Sequence, residues 1–263
     1  MPFGHLKDMK KLVKIIFATV LSVVLASSCT KEDFGNRAPE PPSMGTLKID
    51  YSAIPSESAT KALDVNPASI YLKFWDGIYE SIINIPIKGF QSCLKVAPEY
   101  IDGEWIWNSY FKTYNIRLVA CEQGNKYVWE LQVAGFSGRE TEYFTWIKGW
   151  SSRNGKNGEW SILIGPDDTD VFITSVWTAK EGEVTSATFT CSVDHMIGSF
   201  GEFFNDSSIT YLHSASDNAY DSTLEITYAQ IGDILINVTV EWNSKTGDCR
   251  IRNAFDSTWH DWD

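Results

Sequence analysis

From Trp105 onward, apolar and polar residues alternate with a period of two. The alternation is clearest in four segments, Tyr127–Val133, Ala187–Val193, Leu224–Tyr228 and Ile234–Trp242. Successive side chains of a β-strand point to opposite faces of the sheet, so strands with this pattern bury one face and leave the other wetter. The chain is therefore predicted to be mainly β (α+β), with a meander of about eight antiparallel strands.

Short turn-like segments separate the predicted strands, and each contains a glycine: Glu122–Asn125, Ala179–Gly182 and Ser244–Gly247. Glycine suits the left-handed position of a hairpin turn. The pattern W-x-x-[KR]-x-G recurs at Trp150–Gly155, Trp177–Gly182 and Trp242–Gly247. The spacings of 27 and 65 residues are unequal, so the pattern indicates a recurring type of hairpin rather than an internal repeat.

The segment that precedes the strands predicts a helix over residues 67–83. Asn66 supplies an N-cap, Pro67 a first-turn proline, and apolar residues recur at spacings of three and four from Tyr71 to Ile82. Pro86 is expected to end this helix, and a second short helix is expected over residues 89–96. The predicted architecture is a curved antiparallel meander sheet or a partly open barrel, with one or two N-terminal helices packed on it.

Residues 1–28 are typical of a secretory signal peptide. Three lysines precede an apolar run from Ile15 to Leu25 that is too short to span a bilayer. The next residues, Leu25–Cys29, resemble a bacterial lipobox, in which the cysteine is acylated and becomes the first residue of the mature chain. An ordinary signal peptide followed by an incidental cysteine is the alternative.

The residues after Cys29, Thr30–Asp33, are similar to the lysine-plus-acidic export signal of Bacteroidetes surface lipoproteins. This resemblance implies that the chain is attached to the outer membrane through N-terminal acyl chains on Cys29, because buried acyl chains make anchoring stable. It favours the cell-surface face of that membrane, with the periplasmic face as the alternative.

The chain divides into three predicted regions: the signal peptide at 1–28, the acylated cysteine with a flexible Pro- and Gly-rich tether at 29–46, and one β-rich domain at 47–263. Removal of residues 1–28 takes away four lysines and one aspartate, which leaves 18 basic and 33 acidic residues and a net charge of −15. Such a negative surface repels a phosphate backbone, so we expect no nucleic-acid partner.

Six short motifs follow one another along the mature chain: Arg37–Met44, Ile49–Ser52, Ile85–Phe90, Asp102–Trp107, Tyr127–Glu130 and Phe144–Trp150. In this order they resemble a group of uncharacterised Bacteroidetes lipoproteins. The resemblance spans most of the mature chain. It implies no known activity and assigns no functional residue.

Four cysteines remain after Cys29: Cys93, Cys121, Cys191 and Cys249. In an exported protein they allow two disulfides in three connectivities. Two of them, Cys191 and Cys249, fall on the apolar phase of their strands, which favours free, buried thiols.

The acidic loop Gly165–Asp170 offers Asp167, Asp168 and Asp170 as ligands for calcium, the one cofactor that the sequence suggests. The loop lacks the EF-hand register, so the alternative is a solvated acidic turn. No HExxH or GxSxG motif is present. The expectation is therefore binding rather than catalysis.

Eleven tryptophans are the unusual feature of the composition. Exposed aromatic rings stack on sugar rings, so the candidate ligand-binding residues are Trp105, Trp107, Trp146, Trp150 and Trp160. The alternative is that these rings fill the core. The favoured function is a non-catalytic binding module for glycan. One alternative is a carrier of a lipid or apolar small molecule in an enclosed cavity, and another is an accessory subunit that contacts an envelope protein through an apolar patch.

Overall fold

The computed structural model of the chain describes residues 37–49, 72, 77, 83–135, 142–165, 168–192, 207–214, 219–230, 234–252 and 258–261. These residues all belong to one compact unit, residues 36–263. The predicted signal peptide, Cys29 and most of the helix predicted over residues 67–83 lie outside the described residues.

In the part of the chain that the structure describes, thirteen antiparallel strands form one sheet, and each strand pairs with the next one along the chain. The mainly β meander predicted from the alternation is confirmed. The strands are β1 Glu99–Ile101, β2 Glu104–Phe111, β3 Tyr114–Gln123, β4 Lys126–Ala134, β5 Phe144–Ser152, β6 Asn157–Gly165, β7 Asp168–Lys180, β8 Glu183–Cys191, β9 Ser208–His213, β10 Ser222–Gln230, β11 Ile234–Trp242, β12 Cys249–Arg252 and β13 Trp259–Asp261.

The sheet is open, since among the described strands β1 pairs with β2 alone and β13 with β12 alone. Of the two predicted arrangements, the open meander is therefore observed and the barrel is not. The expectation of about eight strands was too low. Strands β1, β12 and β13 have only three or four residues each, and such short segments contain too few alternations to be detected in the sequence.

The predicted hairpin turns are confirmed at the same end of the sheet. Gly124, Gly182 and Gly247 have φ angles of +62°, +88° and +79° and follow strands β3, β7 and β11. These angles lie in the left-handed region, which glycine enters without the steric cost that a Cβ imposes. In a meander, every second turn lies at one end of the sheet, so these turns share an edge.

Helix α1 spans Asn84–Cys93 and overlaps the second predicted helix. The expectation that Pro86 ends a helix was wrong, because Pro86 lies in the first turn of α1. A first-turn N–H has no acceptor within the helix, so proline loses nothing there. Of the first predicted helix, Leu72 and Gly77 are helical, and the remaining residues lie outside the described part of the chain except Ile83.

Helix α1 packs on the sheet over strands β2, β3 and β4. Its Phe90 is fully buried and meets the ring of Trp160 edge to face, with 5.9 Å between ring centroids. The Cys93 Sγ lies 3.5 Å from the backbone oxygen of Trp107, to which it donates a hydrogen bond. The predicted packing of a helix on the sheet is thus confirmed.

Residues 37–49 form a second cover on the sheet, which we call the strap. The strap includes a short 3-10 helix, Met44–Thr46, that contacts strands β7 and β8. Leu47 and Ile49 are buried in the core. Composition predicted a flexible tether as far as residue 46, but the described part of that segment, from residue 37 onward, runs along the folded unit and contributes buried prolines.

Thr46 fastens the strap to the sheet. Its Oγ1 accepts a hydrogen bond from the Trp160 indole N–H at 2.9 Å and donates one to the Ser43 backbone oxygen at 2.7 Å. The Thr46 backbone oxygen accepts a third bond from Ser175 Oγ at 2.7 Å. Thr46, Trp160 and Ser175 are all at most 1 % exposed, so each polar group depends on these bonds.

Candidate functional site

Most of the predicted binding tryptophans lie in the core. Trp107 and Trp146 are each 4 % exposed and Trp160 is fully buried, so these three rings have no free surface for a ligand. Trp105 is half-buried and packs against the exposed Tyr100 ring, 4.8 Å between centroids, at the β1 edge. Of the five candidates, only Trp150 lies on the opposite face of the sheet and remains half-exposed.

The buried tryptophans are accommodated by small residues on the neighbouring strands. Trp160 is paired with Gly149, and Trp177 is paired with Gly158. A Cβ built on Gly149 would lie 2.6 Å from Trp160 Cε3, and one built on Gly158 would lie 2.5 Å from Trp177 Cζ2. Each ring therefore lies directly over a glycine. This large-to-small pairing explains why so much tryptophan fits into one buried face.

The opposite face of the sheet, which we call the polar face, carries a row of hydroxyl and amide side chains. Six consecutive strands, β6 to β11, each contribute one residue to this row, and the span is about 24 Å at the usual strand spacing. Every residue in the row is half-buried or exposed. The members, in register order, are Ser161, Thr174, Thr190, Ser208, Thr227 and Asn237.

A second row on the polar face includes two tryptophans. Trp150 on β5 and Trp259 on β13 are about 38 Å apart at the usual strand spacing. Both rings are half-buried. Beyond Trp150 the same register continues through Val128 and Cys121 to Glu104. From one tryptophan to the other, the row is Trp150, Glu159, Val176, Thr188, Thr210, Glu225, Thr239, Arg252 and Trp259.

The ring of Trp150 is held in place by polar neighbours. Its indole N–H donates to Glu159 Oε2 at 3.4 Å, and the Lys126 ammonium lies 5.5 Å from the ring centroid. Val176, which follows Glu159 in the row, is 53 % exposed, so the surface beyond Glu159 is open. At the other end of the row, the Arg252 guanidinium lies 5.3 Å from the Trp259 ring centroid. Both rings are thus oriented before any ligand arrives.

Hydrogen bonds between strands also order the hydroxyl groups of the polar face. The hydroxyls of Thr188 and Thr210 are 3.0 Å apart, and Thr227 Oγ1 donates to Asn237 Oδ1 at 2.8 Å. A hydroxyl has one donor and two acceptor positions, so each keeps capacity for a ligand or water. The alternating pattern of the sequence identifies these residues as the polar side of their strands. It does not reveal that they align across the sheet, because that alignment depends on the register between strands.

The acidic loop is only partly within the described residues. Asp167 and the side chain of Asp168 lie outside them, while Asp170 is exposed. Within the described residues, no three histidine, cysteine, aspartate or glutamate side chains come together as a candidate metal site. The calcium expectation for Asp167, Asp168 and Asp170 therefore gains no support from the described geometry.

The four described cysteines, Cys93, Cys121, Cys191 and Cys249, form no disulfide, and the apolar strand phase of Cys191 and Cys249 had favoured this state. Burial raises the pKa of the Cys191 and Cys249 thiols to about 12, and it raises that of Cys93 to about 11. At neutral pH these three side chains are protonated and act as small apolar groups rather than as nucleophiles.

A serine, a histidine and an aspartate meet at the start of β10. Ser222 Oγ donates to Asp221 Oδ1 at 3.0 Å and lies 3.0 Å from His213 Nδ1. In a catalytic triad the carboxylate orients the imidazole, which in turn contacts the serine, whereas here the serine stands between the other two. Ser222 is also only 2 % exposed. The arrangement does not suit nucleophilic catalysis.

Asp221 instead ties two parts of the sheet together. It accepts hydrogen bonds from the Ser244 hydroxyl at 2.5 Å and the Ser244 backbone N–H at 2.9 Å, in the turn after β11. Burial acts to raise the pKa of Asp221, but the bonds from Ser244 and Ser222 and the charge of His213 outweigh it and hold the pKa below its usual value. Asp221 therefore has a structural role: its carboxylate links the start of β10 to the turn after β11.

The fold and its ordered polar face define a mainly β protein built on one open meander sheet. Comparison with protein families, with curated proteins and with solved structures found no match to this chain. Among the residues that the structure describes, no helix combines the length and apolar character required to cross a membrane.

Proposed function

We propose that the chain is an envelope lipoprotein, anchored through acylated Cys29, that binds glycan on the polar face. The observation that carries the proposal is the row from Trp150 to Trp259, in which two half-exposed tryptophans enclose hydroxyl and carboxylate side chains. A sugar ring offers an apolar face for stacking and a rim of hydroxyls for hydrogen bonds. The row presents both kinds of partner.

The charge of the molecule supports an uncharged polyol as the ligand. The first row of the polar face contains no formally charged side chain from Ser161 to Asn237, and beyond Ser161 the register continues to Lys148 and Glu130, whose opposite charges balance. The second row contains two glutamates and one arginine, so it favours neither a strong anion nor a strong cation. Nucleic acid would be repelled by the chain's overall charge of −12.

The proposed location of the protein in the cell envelope rests on its N-terminal sequence. The signal peptide, the lipobox-like Leu25–Cys29 and the export-signal-like Thr30–Asp33 support a lipid anchor in the outer membrane on the cell-surface side. The resemblance to Bacteroidetes lipoproteins supports the same cellular location. The periplasmic face of that membrane remains the alternative location.

The binding test compares three tryptophan variants on a glycan array and then in affinity electrophoresis. Trp150→Ala and Trp259→Ala are each expected to weaken binding by about 3- to 10-fold, because one stacking contact contributes about 0.5–1.5 kcal/mol. Trp105→Ala is the matched control, since this ring is also half-buried but lies at the β1 edge on the core face. Unchanged binding in both polar-face variants would rule out this surface.

The anchor is tested by metabolic labelling. Cys29→Ser is expected to abolish incorporation of labelled palmitate and to move the protein from the membrane to the soluble fraction, because each buried CH₂ contributes about 0.8 kcal/mol. Cys121→Ser is the control and should label like the wild type. Full palmitate incorporation in Cys29→Ser would refute the anchor assignment.

One observation favours the accessory-subunit alternative. Four exposed apolar side chains, Leu94, Tyr100, Ile101 and Tyr110, lie in or next to the first two strands, and Tyr110 is 75 % exposed. Tyr100 and Tyr110 point to opposite faces of the sheet, since Tyr100 pairs with Trp105 and Tyr110 is five residues further along β2, so the apolar surface is the β1 edge itself. If no glycan binds the wild-type chain, this surface becomes the preferred functional assignment. The apolar-carrier alternative depends on the stripe from Tyr71 to Ile82, which lies outside the described residues except for Leu72 and Gly77.

A further inference from the structure

A cleft of about 260 Å³ lies between the strap and the turn-bearing end of the sheet. On one side are strap residues Glu40 to Ser43 and Thr46. On the other side are residues from β4, the β5–β6 turn and the end of β7. Two of the three W-x-x-[KR]-x-G segments contribute to this lining, through Arg153 and Gly155 and through Trp177 and Gly182. The cleft is separate from the polar face, because Trp177 belongs to the core face.

The apolar part of the cleft lining comes from both sides. It consists of Pro41, Pro42, Tyr127 and Trp177. Trp177 is only 2 % exposed and rests on Gly158, so its ring position is set by the sheet. Its indole N–H has no hydrogen-bond partner, unlike those of Trp129 and Trp160, which are bonded to Ser151 and Thr46. This donor is itself buried and out of reach of a ligand in the cleft, so Trp177 contributes to the shape of the cleft rather than a hydrogen bond.

The polar wall of the cleft divides into fixed and available groups. Ser152 Oγ is fully occupied within the turn, where it contacts Asn154, Lys156 and Asn157. Asn154 uses its Oδ1 to accept from Ser152 and from the Lys156 N–H, which leaves its amide N–H₂ as a donor. Arg153 is oriented by an ion pair with Glu122 and presents further N–H donors.

Glu40 completes the polar wall from the strap. Its carboxylate is exposed and lines the cleft. Donors therefore lie on the sheet side and a strong acceptor lies on the strap side. The positive charge of Arg153 is already matched by Glu122, so a ligand carboxylate or phosphate would gain little and would meet Glu40. The charge balance favours a neutral ligand with hydroxyl groups.

We propose that this cleft is a second binding site, which holds a single sugar ring or a ring polyol of the same size. The ring's apolar face would pack on Pro41 and Tyr127, which are both half-buried, and its hydroxyls would bond to Glu40, Arg153 and Asn154. A volume of about 260 Å³ lies just below the roughly 300–1,000 Å³ of drug-sized pockets, so the cleft suits one ring rather than a chain. The site does not depend on glycan binding at the polar face.

The test is calorimetric titration of the full mature chain with free monosaccharides and, in a second arm, with short oligosaccharides blocked at their reducing ends. We expect one ligand per chain, and we expect Glu40→Gln and Asn154→Ala each to weaken binding by about tenfold. Binding of free monosaccharides identifies a soluble sugar as the ligand. Binding of the blocked chains alone, if it is kept in Trp259→Ala and weakened in Glu40→Gln, identifies the end of a glycan.

Two further variants make the test specific. Glu183→Gln makes the same carboxylate-to-amide change on an exposed residue at the start of β8 that does not line the cleft, so its affinity should equal that of the wild type. Trp259→Ala, which alters only the polar face, distinguishes the two sites. The proposal is overturned if no sugar in either arm binds at millimolar concentration, or if Glu40→Gln and Asn154→Ala bind as well as Glu183→Gln.

Discussion

Gly158→Ala is expected to destabilise the protein by about 3 kcal/mol, the upper end of the range for overpacking a core. A Cβ at this position would lie 2.3 Å from the Trp150 backbone oxygen and 2.5 Å from Trp177 Cζ2. The first contact is with the backbone of β5, so rotation of a side chain cannot relieve it. Strands β5 and β6 would have to separate, and the Trp177 ring would also have to move from its position.

The measurement is urea denaturation followed by tryptophan fluorescence, and the chain offers a control on the same strand. Gly165 lies at the end of β6, and a Cβ built on it meets nothing within 4 Å. Gly165→Ala should therefore be neutral or slightly stabilising, because it reduces the entropy of the unfolded chain. Equal unfolding midpoints for the two variants would contradict the stacking of Trp177 on Gly158.

Thr46→Val is expected to cost about 2–3 kcal/mol although it preserves the shape of the side chain. The change removes the acceptor of the Trp160 indole N–H and the donor to the Ser43 backbone oxygen. Thr46 is 1 % exposed, so water cannot replace either partner. A buried donor left unsatisfied costs about 1–3 kcal/mol, whereas the bond itself contributes only about 1 kcal/mol.

Two comparisons separate the hydrogen bond from general packing. Thr46→Ser keeps the hydroxyl and removes one methyl group. Its cost in unfolding free energy should exceed the contribution of that methyl group by less than about 1 kcal/mol. A double-mutant cycle with Trp160→Phe, which has no N–H, should make the cost of Thr46→Val smaller than in the wild-type background. Additive free energies of unfolding in this cycle would show that the strap is not held through this bond.

The strand pattern of this chain was readable from its sequence because the period of two is a local property of the β backbone. The phase of Tyr127–Val133 correctly indicated that Trp129, Leu131 and Val133 share a buried face. The turn glycines were also predicted, since a left-handed residue is required by the turn itself. Each of these properties depends on a few consecutive residues.

The position of the tryptophans was not readable in the same way. Trp146 and Trp150 lie four residues apart on β5 and would share a face of a regular strand, yet only Trp146 is buried. The register shifts between Leu131 and Gln132 of β4, so that Ile147 opposes Leu131 while Thr145 opposes Gln132. This irregularity displaces Trp146 relative to Trp150, and no single-strand pattern reveals it.

The sequence by itself determined the β class, the turns, the phase of the regularly alternating strands and the features that suggest a lipid anchor, because these depend on neighbouring residues. Only the tertiary structure decided which tryptophans are core, which hydroxyls align into rows, and that strap residues 40–46 meet residues 127–182 to enclose a cleft. Those outcomes depend on register and on contacts between residues far apart in the chain. Such contacts form only when the sheet assembles.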